Sequence, residues 1–272
     1  MSGQSRISQQ EWADLRAQFG LCRRTAGPGA IPDVSIGAGA SALAMPASHL
    51  LDPERGSAYL DRLTERLRAP SRMTAASQFV KRYAFVAAVP VLYAMTAYDK
   101  GLHARAEHCL LEATPDRWLT HIRLADDQAG SPAPGGRHAW REALLHALFA
   151  ENMGPIIHML AEIARAPKPM LWENAAVRVY SLYEKRLAAS EDEAVRARGR
   201  EDYAYMLHQA PGALFGEARN PLLRFYGDAA PAASLAPDCD APSGTPTRIR
   251  KTCCFYYEVS PVEEYCTSCP KL

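Results

Sequence analysis

The sequence predicts a mainly helical α+β protein: a helical body with one small antiparallel β hairpin, followed by a short cysteine-rich segment. Three observations predict this architecture. Apolar residues recur at helical spacing through most of the chain, whereas residues 109–124 contain short alternating stretches. A stretch rich in Pro, Ala and Ser then precedes four closely spaced cysteines. We therefore expect a body over residues 1–227, a linker over residues 228–247 and a C-terminal module over residues 248–272.

The first two helices are predicted from the residues at their N-termini. Ser8 and Glu11 have the spacing of a capping box, so a short helix should follow them and end near residue 19. Residues 25–49 are rich in Gly, Ala and Pro without a steady period, which predicts a long loop. Asp52 is a favoured N-cap and Pro53 suits the first helical position, so a second helix should begin there.

The third helix is predicted over residues 71–89, and an uncharged stretch continues beyond it. Residues 83–98 contain no charged side chain. A membrane-spanning helix needs about 20 apolar residues, and Pro90 lies in the middle of this shorter stretch. We therefore expect a buried core helix that is kinked or restarted at Pro90.

The two best strand candidates are residues 109–112 and residues 118–124. In the second of them, apolar and polar side chains alternate as in a strand with two different faces. The intervening residues 113–117 contain proline and aspartate, which favour a turn. These features together predict the antiparallel hairpin.

The second half of the body returns to the helical period. A stripe of apolar side chains runs from residue 140 to residue 160 and is interrupted at Gly154 and Pro155. Two further helices are expected over residues 170–189 and 191–209, and the second of these is strongly charged. The body is therefore mostly helical.

Composition excludes several classes of function. The formal net charge is +1 and the isoelectric point is near 7.6, so no overall field attracts nucleic acid, and we expect no nucleic-acid partner. The first twenty residues are polar and charged, which argues against a secretory signal peptide and favours a cytoplasmic location. The chain has no Gly-x-Ser-x-Gly motif of the kind that holds a hydrolase nucleophile.

Four of the seven cysteines lie close together near the end of the chain. They are Cys253, Cys254, Cys266 and Cys269. Four thiolates can hold a [2Fe–2S] cluster, two on each iron. They can also hold one zinc ion, although an adjacent pair is unusual for structural zinc, or form two disulfides, which require an oxidising compartment. The residues favour the cluster, and these alternatives remain open.

The same segment resembles a known family. Arg-x-Arg-x-x-Cys-Cys, an aromatic-rich gap and then Cys-x-x-Cys-Pro at the end of the chain resemble the FhuF-type ferric-siderophore reductases over residues 248–270. The resemblance continues upstream at residues 77–83 and at residues 171–174. It implies a [2Fe–2S] cofactor whose ligands are the four cysteines, so that the C-terminal segment is a cysteine-ligated [2Fe–2S] module.

The resemblance also implies an activity and partners. The expected reaction is the one-electron reduction of Fe(III) in an imported, hydroxamate-type siderophore, with release of Fe(II) in the cytoplasm. The body over residues 1–227 would then bind the ferric siderophore. A small redox donor such as a ferredoxin would supply the electrons, and the protein would associate peripherally with an inner-membrane siderophore transporter. The alternative function is a non-enzymatic zinc or iron–sulfur module that mediates protein interaction.

Five further residues are candidates for substrate binding. Arg248, Arg250 and Lys251 precede the first cysteine pair, where cations can raise the cluster potential or hold carboxylate or hydroxamate oxygens. Trp172 and Asn174 lie in the second upstream stretch and offer a flat ring and an amide. The competing interpretations are a solvated basic segment and a core tryptophan beside a helical asparagine.

Overall fold

The helices of the body begin at the capping residues that the sequence predicts. The computed structural model describes residues 4–23, 45–114, 117–125, 128–227, 248–262 and 264–272. Helix α1 (Gln9–Phe19) has the full capping box, with Ser8 Oγ 3.1 Å from the Glu11 nitrogen and Glu11 Oε2 2.6 Å from the Ser8 nitrogen. Helix α2 (Pro53–Leu67) begins after Asp52, whose carboxylate accepts the Arg55 N–H at 2.8 Å. Both predicted helix starts are confirmed.

Two predicted segments fall largely outside this description. The predicted linker, residues 228–247, lies outside the described residues, and so does most of the predicted loop over residues 25–49. The end of that loop is described: it contains the short strand Met45–Pro46 and one turn of 3-10 helix, Ala47–Leu51.

The uncharged stretch forms one continuous helix, Arg72–Ala97, rather than two. It consists of α3 (Arg72–Tyr83), a π-helical turn (Ala84–Ala88) and α4 (Val89–Ala97). A proline ring clashes with the carbonyl four residues earlier in a regular helix, and the wider π turn before Pro90 accommodates it. This helix is long and apolar enough to cross a membrane, but 78% of its most apolar window is buried inside the protein, as in a core helix.

A second π turn precedes Pro155, the next proline inside a helix. Helix α5 (Arg137–Leu148) continues through a π turn (Phe149–Met153) into α6 (Gly154–Ile163), which contains Pro155. The remaining helices of the described residues are α7 (Lys168–Ser181), extended by a π turn (Leu182–Leu187), α8 (Glu193–His208) and the short α9 (Pro221–Phe225).

The β structure exceeds the single predicted hairpin. Strands β5 (Cys109–Glu112) and β6 (His121–Leu124) pair antiparallel with Cys109 opposite Leu124, which confirms the hairpin, although its second strand begins later than predicted. The other strands of the described residues are β1 (Gln4–Arg6), β2 (Leu21–Arg23), β3 (Met45–Pro46), β4 (Gly101–Leu102) and β7 (Gln128–Gly130). Strands β5 and β6 belong to a four-stranded sheet in the order β2-β6-β5-β3, and a three-stranded sheet has the order β1-β7-β4.

Helices α3 and α7 pack side by side in the core, and both carry buried polar side chains, which are unusual in a core. Ser77 and Gln78 on α3 and Glu173 and Asn174 on α7 are all buried. Buried polar side chains are costly unless they are hydrogen-bonded, so each requires a partner. The C-terminal segment supplies most of these partners.

Candidate metal centre

The C-terminal segment lies against α3 and α7 with little secondary structure of its own. Its one described helical element is a single 3-10 turn, Tyr256–Glu258. A segment this short cannot bury a core of its own, so contacts with the body must hold it in place. These contacts come from one face of each helix.

Helix α3 binds the backbone next to the first cysteine pair. Ser77 Oγ and Gln78 Nε2 both donate to the Cys254 carbonyl oxygen, at 2.7 and 2.6 Å. One turn earlier, the Thr74 hydroxyl donates to Glu258 Oε2 at 2.6 Å. Residues at spacings of three and four lie on the same helix face, so these side chains form one continuous docking strip.

Helix α7 binds the backbone that precedes the cysteines. Glu173 is 1% exposed, and its carboxylate accepts the backbone N–H groups of Lys251 and Thr252 at 2.6 and 2.8 Å. It also accepts the Thr252 hydroxyl. The guanidinium of Arg250, equally buried, lies 3.8 Å from the carboxylate and compensates its charge. A buried carboxylate with this many donors is fully satisfied.

Asn174 connects the two helices and the C-terminal segment. Its amide nitrogen donates to the Ser77 carbonyl and hydroxyl oxygens, both at 3.0 Å, and its oxygen accepts from Arg250. The backbone N–H of Arg250 in turn donates to the Ser268 carbonyl at 3.0 Å, which ties the approach to the first cysteine pair to the second pair. One network therefore fixes both pairs relative to the body.

Two of the four thiols lie at the separation that ligands of one metal require. Cys254 Sγ and Cys266 Sγ are 3.8 Å apart, the separation expected of two thiolates on one tetrahedral metal with metal–sulfur bonds of about 2.3 Å. Cys253 is close enough to Cys269 and Cys254 for their charges to raise its pKa, in addition to the larger effect of burial. Cys254 and Cys269 are 2% and 3% exposed, whereas Cys253 and Cys266 are half-buried.

Backbone N–H groups point at these sulfurs, as they do around metal-bound thiolates. The Phe255 N–H donates to Cys253 Sγ at 3.4 Å, and the Lys271 N–H donates to Cys269 Sγ at 3.5 Å. Phe255 has a φ of 56°, a left-handed conformation that is costly for a residue with a side chain. The turn after the adjacent cysteines is therefore shaped around the thiols.

Charge near the Cys254–Cys266 pair favours thiolate. The hydrogen bond with Cys266 and the positive charges of Lys81 and Arg250 lower the pKa of Cys254 to about 5. The pKa of Cys266 is raised, chiefly because its thiol forms this hydrogen bond. Lys81 Nζ lies 3.7 Å from Cys254 Sγ and 4.6 Å from the centre of the Tyr256 ring. Burial lowers the pKa of Lys81 and the Cys254 thiolate opposes this effect.

The donor set fits a two-iron cluster. Among the described residues, no group of three or more His, Cys, Asp or Glu side chains is arranged to hold a metal ion as it stands, so the case for a cluster rests on the thiols themselves. The six described cysteines are all free thiols. Four thiols, two of them 3.8 Å apart, with thiolate favoured at Cys254 and N–H donors directed at the sulfurs of Cys253 and Cys269, fit the two-per-iron ligation of a [2Fe–2S] cluster.

The sequence-predicted substrate residues have different surroundings. Asn174 and Arg250 are buried, and their side chains bind each other, so the network that docks the C-terminal segment occupies them.

The other three predicted substrate residues lie outside this network. Trp172 is 2% exposed and donates to Glu217 at 2.7 Å, beside a cavity of about 890 Å³. Arg248 pairs with Glu184 at 2.7 Å and stacks on Tyr226. Lys251 is exposed and its Nζ donates to the Arg224 carbonyl.

Sequence reasoning missed the residues of the body that face the thiols. Lys81 and Arg178 were not singled out, and no function was assigned to Ser77, Gln78 or Glu173. One signal was present: Ser77, Gln78 and Lys81 lie at spacings of three and four, on one face of the predicted third helix. Such a polar face indicates a partner other than the apolar core.

Two family models match the sequence. The model described as ferric iron reductase FhuF-like transporter matches residues 77–232, and the model described as FhuF 2Fe-2S C-terminal domain matches residues 250–271. The first match alone covers more than half of the chain, and together they include the second half of α3, all of α7 and all four cysteines. The comparison with curated proteins finds no match.

Some solved structures are distantly similar. ATP-bound aerobactin synthetase IucA from a hypervirulent pathotype of Klebsiella pneumoniae has 17% identity and a TM-score of 0.47, covering 65% of this chain and 36% of the synthetase. Aerobactin synthetase IucC from the same source has 14% identity and a TM-score of 0.46, covering 66% of this chain and 35% of the synthetase. The chain thus spans little more than a third of the length of these enzymes.

Proposed function

The chain belongs to the ferric iron reductase FhuF-like family, and on that basis we propose that it delivers one electron to ferric iron held in a siderophore. Its C-terminal domain is a [2Fe–2S] domain. The observation that carries the proposal is the docking of four buried or half-buried thiols on α3 and α7, with Cys254 and Cys266 3.8 Å apart.

The four cysteines are the proposed ligands. We assign Cys254 and Cys266 to one iron because of their separation, which leaves Cys253 and Cys269 for the other. When bound, the [2Fe–2S] cluster supplies electrons one at a time. Cys254 and Cys269 are buried, whereas the half-buried Cys266 lines a cavity beside α7.

Reduction releases the iron because the two oxidation states prefer different ligands. Fe(III) is a hard cation that the oxygen donors of a siderophore hold strongly, whereas Fe(II) is held less strongly and exchanges. The proposed substrate is an imported hydroxamate-type siderophore, and Fe(II) would be released in the cytoplasm. A small redox donor such as a ferredoxin would return the cluster to its reduced form. The protein would work peripherally at the inner membrane beside a siderophore transporter.

The test begins with the absorption spectrum of anaerobically purified protein, followed by electron paramagnetic resonance after reduction with dithionite. We expect visible bands that bleach on reduction and a spin-half signal. The reduced protein should then convert a ferric hydroxamate siderophore to Fe(II) that a ferrous chelator captures. A colourless protein that contains zinc would contradict the proposal and leave the non-enzymatic binding module in its place.

Lys81 should set the reduction potential of the centre. Its ammonium group lies against Cys254 and stabilises the reduced cluster, which carries one more negative charge. Lys81→Met should lower the potential by roughly 50 to 100 mV, since a nearby charge at the partly buried site is worth a few kcal/mol at most. Lys100→Met is the matched control, because Lys100 pairs with Glu11 at 2.7 Å instead. An unchanged potential in Lys81→Met, measured by redox titration, would refute this role.

A further inference from the structure

A small cavity of about 230 Å³ lies between α7 and the C-terminal segment, beside one of the proposed ligands. Cys266, Thr267 and Ser268 form its wall on the C-terminal side. Lys81, Arg178 and Lys185 of the body also line it. This cavity is separate from the larger one beside Trp172.

The charges around this cavity are strongly unbalanced. Its lining contains five cationic side chains and one carboxylate. The carboxylate, Glu184, is already paired with Arg248 at 2.7 Å, and Arg250 is paired with Glu173 at 3.8 Å. Within the part of the chain that the structure describes, no carboxylate forms an ion pair with the three remaining cations, Lys81, Arg178 and Lys185. A cavity with this excess of positive charge attracts anions.

The proposed ligands account for only part of this excess. Lys81 donates to Cys254, and the charges of Cys254 and Cys266 act on Arg178. Lys185, by contrast, is exposed where it lines the cavity, and it has no such contact with a thiol among the described residues. Positive charge therefore extends from the thiols to the solvent-facing side of the cavity.

We propose that this cavity binds a carboxylate group of an anionic ferric chelate and so holds the chelate beside Cys266. The inference rests on the proposed reductase function and defines its substrate class. A volume of about 230 Å³ is below the roughly 300 Å³ at which ligand pockets start, so the cavity takes one group of a chelate while the ferric centre stays outside. Guanidinium and ammonium groups are the usual partners of carboxylate oxygens. A chelate in which three hydroxamate monoanions neutralise Fe(III), and which has no free carboxylate, lacks this contact.

Gallium complexes test the site without electron transfer, because Ga(III) is a hard cation that the protein cannot reduce to a divalent state. Binding of gallium citrate and of a gallium trihydroxamate without carboxylates is measured by calorimetry on the oxidised, cluster-containing full chain. Lys185→Glu should weaken the binding of gallium citrate about tenfold and change that of the trihydroxamate by less than about twofold. Arg66→Glu, an equal charge change at an exposed position of α2, is the matched control and should change neither.

The outcomes separate this inference from the proposed function. Equal effects of Lys185→Glu on both complexes, or no effect on gallium citrate, would overturn the carboxylate site whatever the reductase assay shows. Binding of gallium citrate that depends on Lys185, in a protein that reduces neither ferric chelate, would keep the site and refute the reductase function. Preferential reduction of ferric citrate that is lost in Lys185→Glu through a higher KM would support the site and the one-electron reduction of Fe(III), and it would replace the trihydroxamate with a carboxylate-bearing chelate as the preferred substrate.

Discussion

Replacement of Cys254 by serine is expected to produce a protein that lacks the [2Fe–2S] cluster and no longer reduces ferric siderophore. Cys254 is the thiol whose pKa is lowered, to about 5, by Cys266, Lys81 and Arg250. A serine hydroxyl in its place stays protonated and is a harder, weaker ligand for iron. Iron bound per chain should fall about tenfold or more, and the spin-half signal should be lost with it. Cys266→Ser should have the same effect, because its thiol shares the iron assigned to Cys254.

Cys22→Ser is the matched control for this experiment. Cys22 is a buried free thiol on β2, opposite Arg123 in the sheet and outside the C-terminal segment. Its replacement should leave the iron content and the spectrum unchanged. A Cys254→Ser protein with a full complement of iron and normal reductase activity would remove Cys254 from the ligand set and the proposed pairing with it.

The features that the sequence predicts well are local ones. Ser8, Asp52 and the proline after it determine helix starts through contacts within four residues, and the cysteine spacing is visible in a single short segment. The hairpin also forms between neighbours in the chain. The strands that were not predicted have two or three residues, too few to show a period of two, and β2 pairs in parallel with a strand 100 positions later.

The docking network could not be predicted for a similar reason. Asn174 binds Ser77 across 97 positions, and Cys254 binds Ser77 across 177. The sequence shows polar residues among the apolar residues of these helices, but it does not show which of the polar side chains contact each other. Asn174 and Arg250 therefore looked like residues that face a substrate, whereas the structure uses their side chains to hold the C-terminal segment. A kink or restart was predicted at Pro90 and an interruption at Gly154 and Pro155, whereas the helix continues through both prolines by means of a π turn before each.

Glu173→Gln is expected to weaken the docking of the C-terminal segment on α7 without removing any of the proposed cluster ligands. The carboxylate accepts two backbone N–H groups and a hydroxyl from residues 251 and 252, and it compensates the buried guanidinium of Arg250. An amide of the same shape turns one acceptor into a donor that faces N–H groups, and it leaves the Arg250 charge buried without its partner. Removal of one member of a buried ion pair costs about 3 kcal/mol or more, so docking of the segment should weaken by about a hundredfold or more.

The rate at which iron is lost to a strong chelator measures this effect, and it separates docking from ligation. Glu173→Gln should assemble a cluster with an unaltered spin-half signal, since all four thiols remain, but should release iron much faster than the unaltered protein. Cys254→Ser should never assemble it. Glu193→Gln, on the exposed start of α8, is the control and should release iron at the normal rate. Normal iron retention in Glu173→Gln would mean that the α3 contacts to the Cys254 carbonyl suffice to hold the segment, and that the α7 network is dispensable.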